Sequence, residues 1–313
     1  MPLSAGGWDS WPPMRLSDHL KHLGLSSADA KRAMKSGRVR LHGIPTADAG
    51  REIQPFQVEL LAEGPKLTPG RDLVIVHKDE HLVVVWKPAG MLSVQAGKAG
   101  GHLNVIGLVR KLTGGDALAV HRLDQDTSGL MMVARTVPAQ TALKAQLEVH
   151  SVERAYVALV LGRPLKPRWV VSNHLVEDRG DGLRGSVAPP IPHFAKRAKT
   201  KFSSLERAGK RVNLIEARLE TGRTHQVRIH LSESGLPIIG DTRYATPAAQ
   251  RLSPRLALHA AVLGIDHPST GERMRFTCGL PDDLEQIRRG LVHMHDNPAL
   301  KRKKSRVPKK RRR

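Results

Sequence analysis

The spacing of hydrophobic residues changes along the chain and predicts helices in some segments and strands in others. Leu16, Leu20 and Leu23 have the three- and four-residue spacing of a short amphipathic helix. A serine cap then favours a second helix at 26–36, and alternating apolar residues favour a strand at 39–41. The N-terminal part is therefore expected to be a small unit of two helices and a strand.

Farther along the chain, short apolar runs bounded by turn residues predict strands, and helical patterns lie irregularly between them. The predicted strands are 73–76, 82–85, 130–134, 156–161, 201–205, 213–219 and 274–277, and the predicted helices are 102–112, 139–148 and 282–293. Strands outnumber helices and do not strictly alternate with them. The pattern therefore predicts an α+β domain on a mixed, largely antiparallel sheet, and not a doubly wound parallel sheet.

The length of 313 residues and the positions of turn residues predict two folded units. A flexible leader is expected at 1–14, a small module at 15–62, and a linker rich in Pro and Gly at 62–70. A large domain follows at 71–294. Residues 295–313 have no periodicity and repel one another, so a disordered basic tail is expected there.

The charge of the chain favours a polyanionic partner, because 51 Lys and Arg against 29 Asp and Glu give a net charge of +22. Residues 301–313 hold ten of these basic side chains and no acid, and the rest of the chain is basic without them. Aromatic residues make up only 3%, which argues against base stacking on an aromatic platform. Nucleic acid is the expected partner, and a nuclear-import signal is an alternative role for the basic run.

Several classes of protein are disfavoured by what the sequence lacks. No segment approaches the ~20 apolar residues of a membrane span, and no secretory signal is recognisable, so a cytoplasmic protein is expected. Cys278 is the single cysteine and can form neither an internal disulfide nor a cysteine-based metal site. His225 and His230 are five residues apart and diverge on a strand or a helix, so no metal site is predicted. The glycines of 97–101 lack the spacing of a phosphate-binding loop, so no nucleotide cofactor is predicted.

One polar segment stands out as a candidate for chemistry. It is His121-Arg122-Leu123-Asp124-Gln125-Asp126-Thr127-Ser128-Gly129-Leu130. Taken alone, such a segment is a turn whose Asp124 could simply bond its own loop. Its ten residues nevertheless closely resemble the signature loop of RluA-type pseudouridine synthases. Four other segments resemble the same family and occur in the same order along the chain. They are 82–91, 153–162, 198–230 and 256–268.

The resemblance implies a cofactor-free enzyme that isomerises particular uridines in structured RNA to pseudouridine. Within it, Asp124 would be the catalytic carboxylate, acting as a nucleophile or as a base, and Tyr156 would pack against the target base. Arg223 would keep the carboxylate ionised in a partly dry pocket. The competing hypothesis is a non-catalytic RNA-binding or ribosome-assembly factor, which would have no requirement for this set of three residues.

The resemblance also implies residues that contact RNA. Arg122 could occupy the space that an extruded uridine leaves in the RNA stack, or bind phosphate. His121 and Thr127 belong to the same loop. Val227 and Ile229 are candidates for lining the base pocket, with core packing as the alternative.

Residues 15–62 resemble the α-L RNA-binding motif, a small module shared by several ribosome-associated proteins. Lys31, Arg32 and Lys35 lie three and four residues apart on the second predicted helix and form a cationic face, for which the alternative is an ordinary solvated surface. The module favours ribosomal RNA as substrate, with transfer RNA as the alternative. A monomer is expected.

Three features depart from the family pattern. Gln125 stands where a basic residue often follows the aspartate, and Ser93-Val94-Gln95 replaces a common His-Pro pair. The basic stretch at 179–197 has no clear counterpart. None of these departures involves Asp124, Tyr156 or Arg223.

Removing residues 301–313 should weaken RNA binding and flatten its dependence on salt, because each lost contact with phosphate lowers the salt slope. The measurement is the dissociation constant of a structured RNA, compared between the full chain and the truncated chain over a series of salt concentrations. An unchanged slope would show that the tail does not engage RNA.

Overall fold

The computed structural model describes residues 12–41, 44–54, 57–61, 72–95 and 104–296. Residues 1–11 of the expected leader, the linker expected at 62–70 and residues 297–313 of the expected tail lie outside the described residues. The tail was expected to begin at 295, but residues 295 and 296 still belong to the last helix.

The helices and strands follow one another from residue 14 to residue 296. The helices are α1 (Leu16–His22), α2 (Ser27–Lys35), α3 (Val105–Thr113), α4 (Val137–Glu148), α5 (Gln226–Glu233), α6 (Pro247–Gln250) and α7 (Asp282–Asp296). The strands are β1 (Met14–Arg15), β2 (Val39–Leu41), β3 (Ile44–Pro45), β4 (Glu52–Ile53), β5 (Val58–Leu60), β6 (Val74–Lys78), β7 (Leu82–Lys87), β8 (Leu118–Ala119), β9 (Ser128–Ala134), β10 (Glu153–Leu161), β11 (Arg168–Val176), β12 (Gly185–Ser186), β13 (Lys196–Ala208), β14 (Val212–Leu219), β15 (Leu258–Asp266) and β16 (Arg273–Thr277).

The N-terminal unit is built around the two predicted helices. The Ser26 side chain caps α2 by accepting a hydrogen bond from the Asp29 amide, and Leu16 and Leu20 of α1 are fully buried. Strand β2 pairs with β3 and β5 in a small antiparallel sheet. The leader was expected to be flexible up to residue 14, but Met14 pairs with Ile53 in a two-stranded ladder, so ordered structure begins before the predicted boundary.

The large domain contains a sheet of eleven strands within the described residues, with the main order β12-β11-β13-β14-β10-β15-β9-β7-β6. Strands β16 and β8 pair with β15 and β9 respectively. Every pairing in this sheet is antiparallel except that of β15 with β9. The prediction of an α+β fold on a mixed, largely antiparallel sheet is therefore confirmed.

The centre of the sheet is covered on both faces, which explains the unbroken apolar runs of β7 and β9. Val84 and Met132 point into a core with Leu143 of α4, whereas Val85 and Met131 point to the opposite face, where α3 packs. Side chains alternate between the two faces of a strand, so a strand that is buried on both sides needs apolar residues at every position.

The parallel pairing depends on a glycine at the end of the candidate loop. Gly129 has a φ of +121° and lies directly opposite Ala260, where an added Cβ would collide with the Ala260 backbone. The close approach of β9 and β15 fixes the end of the segment that carries Asp124. Strand β15 was not predicted, since its Ala- and Gly-containing sequence lacks a clear apolar alternation.

The N-terminal unit is docked on the large domain through Asp282 at the start of α7. The Asp282 carboxylate accepts hydrogen bonds from Thr46 Oγ1 and the Ala47 amide, both at 2.7 Å, and pairs with Arg51 at 3.1 Å. Ile44 packs in the same hydrophobic cluster as Trp86 of the large domain. These contacts give the unit a defined orientation. No helix among the described residues has both the length and the apolar character of a membrane span.

Replacing Asp282 by Ala should loosen this docking, because three donors lose their acceptor at a cost of about 1–3 kcal/mol for the buried groups. Hydrogen exchange should then become faster in residues 14–54 while β7 and β9 keep their protection. The matched control is Asp116→Ala, which removes an exposed carboxylate elsewhere on the large domain. Equal protection of the N-terminal unit in both variants would contradict the docking role.

Candidate active site

A cavity of about 550 Å³ opens where the 121–127 segment, β10 and the start of α5 meet. Its lining includes seven residues predicted from the sequence as members of the site. These are His121, Arg122, Asp124, Thr127, Tyr156, Arg223 and Val227. The cavity therefore brings together side chains that are about a hundred residues apart in the sequence.

The segment that carries Asp124 is held by the turn after β7. Lys87 is fully buried and donates hydrogen bonds to the carbonyls of Pro88, Met91 and Gln125. Burial lowers the pKa of Lys87 to about 7, while Asp126 and Asp124 oppose that shift. The three carbonyl acceptors match the three N–H donors of the protonated amine. The buried Lys87 amine thus links the turn at 88–91 to the segment that carries Asp124.

Two of the departures from the family pattern take part in the same junction. Ser93 Oγ donates to the Leu123 carbonyl and accepts from the Leu123 amide, at 2.7 and 3.0 Å. The Gln125 side chain donates to the Gly90 carbonyl, and the Gly90 amide donates to the Gln125 carbonyl. Asp124 therefore projects from a loop whose neighbours on both sides are tied to the 88–93 turn.

The cation that pairs with Asp124 is Arg228, not Arg223 as expected from the sequence. Arg228 lies in the first turn of α5, and its Nη1 donates to Asp124 Oδ2 at 3.1 Å. Arg223 instead donates its Nε to the Arg197 carbonyl and is exposed at the cavity. This difference arises because α5 begins at Gln226. Arg228 therefore lies on the helix and points to the loop of Asp124, whereas Arg223 precedes the helix.

Arg228 is shared between two carboxylates. Its Nε and Nη2 donate to Asp241, both at 2.8 Å, and Asp241 is 1% exposed. Burial alone would disfavour the guanidinium charge, but the bonds to Asp241 and Asp124 outweigh it and raise the pKa of Arg228. The Arg228 guanidinium also lies over the Tyr244 ring, 5.1 Å from its centre. Arg228 is therefore fixed and charged beside Asp124.

His225 is a second neighbour of Asp124 that sequence reasoning considered only as a metal ligand. Its Nε2 lies 3.9 Å from Asp124 Oδ2, and its Nδ1 is hydrogen-bonded to the Tyr244 hydroxyl at 2.8 Å. Burial lowers the pKa of His225. His230, on the same helix, instead bonds Thr200 and Asn173. No cluster of three or more potential metal ligands is found among the described residues.

Tyr156 lies on β10 between two hydrophobic clusters and faces the cavity. Burial raises its pKa to about 12, with Arg154 opposing and Asp124 adding to the shift. The phenol therefore stays protonated at neutral pH and presents an uncharged ring.

The other predicted site residues of the 121–127 segment differ in exposure and in hydrogen bonding. Arg122 is exposed at the cavity, and Thr127 is buried there with a hydroxyl that has no hydrogen-bond partner among the described residues. His121 also lines the cavity, but its Nε2 accepts the Met132 amide, and burial lowers its pKa to about 3. His121 is thus a neutral ring engaged with its own backbone.

Ile229 does not reach the base pocket. It is fully buried against Leu175 and Ala198, on the side of α5 that faces away from the cavity, so the alternative of core packing applies. Val227 both lines the cavity and packs in the core.

The cationic face of α2 is only partly available for a ligand. Lys31 and Lys35 are exposed, whereas Arg32 pairs with Asp29 one turn earlier on the helix.

Arg228, His225, Asp241 and Tyr244 are the site residues that sequence reasoning missed. Arg228 lies in the 198–230 segment that resembles the family. A helix that begins at Gln226 within this segment was the signal that could have identified Arg228. Asp241 and Tyr244 lie in a loop that has no pattern of its own, so only the tertiary structure reveals them.

Comparison with known proteins shows the family of the chain. The family described as RNA pseudouridylate synthase matches residues 81–233. The ribosomal large subunit pseudouridine synthase D of Pseudomonas aeruginosa is 37% identical over 277 residues, which are 80% of this chain and 83% of that protein. The chain belongs to the RluA-type RNA pseudouridine synthases. It is therefore an RNA-modifying isomerase.

Two further relatives show how far the similarity extends. The dual-specificity RNA pseudouridine synthase RluA of Escherichia coli is 37% identical over 204 residues, which are 65% of this synthase and 91% of that protein. The solved structure of human RNA Pseudouridylate Synthase Domain Containing 4 has a TM-score of 0.56 and 25% identity, and the match covers 70% of this chain and 92% of the human one. The residues that match the family, 81–233, lie within the large domain and include Asp124, Tyr156 and Arg228.

Replacing Arg228 by Gln should destabilise the synthase by about 3–5 kcal/mol, because Asp241 would remain buried without its cation. Replacing the exposed Arg223 by Gln should change stability by no more than about 0.5 kcal/mol. Urea unfolding of the two variants and the unaltered protein measures both values. Equal destabilisation by the two changes would contradict the assignment of the ion pair to Arg228.

Proposed function

We propose that this synthase isomerises specific uridines in structured RNA, with ribosomal RNA favoured over transfer RNA, and that Asp124 is the reacting carboxylate. The observation that carries the proposal is the position of Asp124, which is paired with Arg228 and shares one cavity with the Tyr156 ring. The enzyme is proposed to act in the cytoplasm as a monomer, without a cofactor.

The chemistry requires one ionised carboxylate next to a sugar and a base. The glycosidic bond to N1 of uracil breaks, the base turns while it stays bound, and a bond forms from the sugar to carbon-5. Asp124 can attack the sugar covalently, forming an ester bond that breaks when carbon-5 bonds to the sugar. Alternatively, it can remove a sugar proton to give a glycal-like intermediate and return that proton when the new bond forms. In both routes, carbon-5 loses its proton and N1 gains one, and release of the carbon-5 proton gives a direct measure of turnover.

The neighbours of Asp124 support this role by fixing its charge and direction. Arg228 keeps a cation 3.1 Å from the carboxylate, and the bond to Asp241 holds that cation in place. Tyr156 offers a protonated ring against which the base can pack. Such preorganised charge needs no rearrangement during the reaction.

Arg122 is suited to compensate for removal of the target from the RNA stack. A uridine within a helix must leave the stack to reach a cavity, at a cost of a few kcal/mol. Arg122 lies two residues before Asp124 and is exposed at the mouth of the cavity. A planar guanidinium there could stack in the space left by the base and contact phosphate at the same time.

The preference for ribosomal RNA is supported by the N-terminal unit and by relatives. Lys31 and Lys35 of α2 are exposed, and the unit is docked on the large domain through Asp282. The relative from Pseudomonas aeruginosa is named for the large ribosomal subunit, whereas the Escherichia coli relative is named for dual specificity.

Replacing Asp124 by Asn should abolish pseudouridine formation while leaving RNA affinity within a few-fold, because the shape is kept and only the reacting charge is lost. The matched control is Asp126→Asn, which changes an exposed aspartate of the same loop and should keep activity. Cells that lack the gene are supplied with each variant, and pseudouridine is mapped in total RNA. If the Asp124→Asn variant restores a pseudouridine that these cells lack, Asp124 is ruled out as the reacting group. If the cells lack a pseudouridine in transfer RNA alone, the preference for ribosomal RNA is overturned.

A further inference from the structure

Two guanidinium groups in the cavity have no acidic partner among the residues that the structure describes. Arg154 and Arg223 both line the cavity, and no ion pair with a carboxylate is found for either of them within the part of the chain that the structure describes. The charge of Arg223 contributes to a lowered pKa of Arg154, after burial as the main cause. Like charges repel, so their placement together calls for a compensating anion.

The carboxylates of the site do not supply that anion. Asp124 and Asp241 are both bonded to Arg228, on the α5 side of the cavity. Glu148, at the end of α4, is the other carboxylate along the lining, and it is exposed to solvent. The region of Arg154 and Arg223 therefore carries excess positive charge inside a cavity with low-dielectric walls, which concentrates an electric field that attracts anions.

Arg154 is placed there by close packing. Its Nε is buried and has no hydrogen-bond partner among the described residues, and its Nη1 lies against Gly222, where any Cβ would collide with it. The protein therefore leaves the Arg154 guanidinium incompletely satisfied, and this residue lines the cavity, where a ligand can accept from its terminal N–H groups. Arg223 is fixed by its bond to the Arg197 carbonyl, which uses only one of its N–H donors.

The position of Arg154 relative to Tyr156 indicates which part of the substrate it meets. The two residues are two positions apart on β10 and both face the cavity, so they are about 6.6 Å apart along the strand. The group bound by Arg154 therefore lies next to the base that Tyr156 is proposed to contact. In an RNA chain, the anionic group beside a base and its sugar is the phosphodiester.

We propose that Arg154, assisted by Arg223, binds a phosphate attached to the target nucleotide and so positions the extruded uridine over Asp124. The proposal rests on the proposed function of the cavity. A guanidinium suits a phosphate because its planar fork can donate two parallel bonds to two oxygens. Arg154 is thus a positioning residue that acts on the backbone of the nucleotide, distinct from Arg122 at the cavity mouth.

The test compares inhibition by uridine with inhibition by uridine 5′-monophosphate and 3′-monophosphate. Activity is followed as tritium release from RNA labelled at carbon-5 of uridine and taken from cells that lack the gene. One of the two monophosphates should inhibit the unaltered enzyme at least about ten-fold more strongly than uridine does, as expected for a charged hydrogen bond. In Arg154→Gln, that preference should fall to about one.

Further readouts separate binding of phosphate from a merely structural role. Arg154→Gln should raise KM for RNA about ten-fold with a smaller change in kcat, and should lower the salt slope by about one. Arg154→Lys should keep much of the affinity and of the slope, since it keeps the charge. Arg110→Gln removes an exposed arginine on α3 and should behave like the unaltered enzyme in all these measurements.

Gly222→Ala provides an independent variant, because it keeps both arginines but displaces the Arg154 guanidinium, and it should also lose the preference for the monophosphate. An unchanged preference in Arg154→Gln, or equal losses in Arg154→Gln and Arg154→Lys without a change of salt slope, would overturn the proposal. Failure of the proposed function is seen separately, as an absence of tritium release by the unaltered enzyme or as full release by Asp124→Asn.

Discussion

The arrangement of the site depends on one buried guanidinium that is shared by two carboxylates. Arg228 is bonded to Asp241 on one side and to Asp124 on the other, and it is 7% exposed. A buried charge is tolerated only where its partners are close and well aligned, so the three groups must be placed accurately by the fold. Asp241 satisfies most of the hydrogen-bonding capacity of Arg228, which leaves Asp124 as the partner that borders the open cavity. Asp124 is thereby held beside a cation while it stays within reach of a ligand.

Accurate placement of Asp124 in turn requires that its loop be rigid without regular secondary structure. The loop is tied to the 88–93 turn by Lys87 and Ser93, and it ends at Gly129, where β9 approaches β15 too closely for any side chain. These contacts are made mainly with backbone carbonyls and amides. The Gln125 side chain adds to the same junction through the Gly90 carbonyl, so this departure from the family pattern is compatible with a fixed loop.

The distribution of charge assigns different tasks to the arginines of the site. Arg228 is neutralised by two acids and acts within the protein, whereas Arg154 and Arg223 have no acidic partner among the described residues and face the cavity. Arg122 is at the cavity mouth, and exposed lysines of α2 extend the positive surface to the docked N-terminal unit. A polyanion would therefore meet basic side chains both at the cavity and on α2, which matches the needs of an enzyme that acts on RNA.

The sequence by itself determined the fold class, the family and the segment that carries Asp124, because apolar periodicity and contiguous motifs are local properties of the chain. It also placed Tyr156 and Arg122 in one cavity by resemblance. It indicated Arg223 rather than Arg228 as the partner of Asp124, and it left open whether Ile229 lines the pocket or packs in the core. Both questions depend on where α5 starts and how the helix is turned. Only the tertiary structure shows that Asp241 and Tyr244 contact Arg228. It also shows that Arg154 forms no ion pair among the described residues. An ion pair is decided by distances between side chains that are far apart in sequence, and only packing of the folded chain sets those distances.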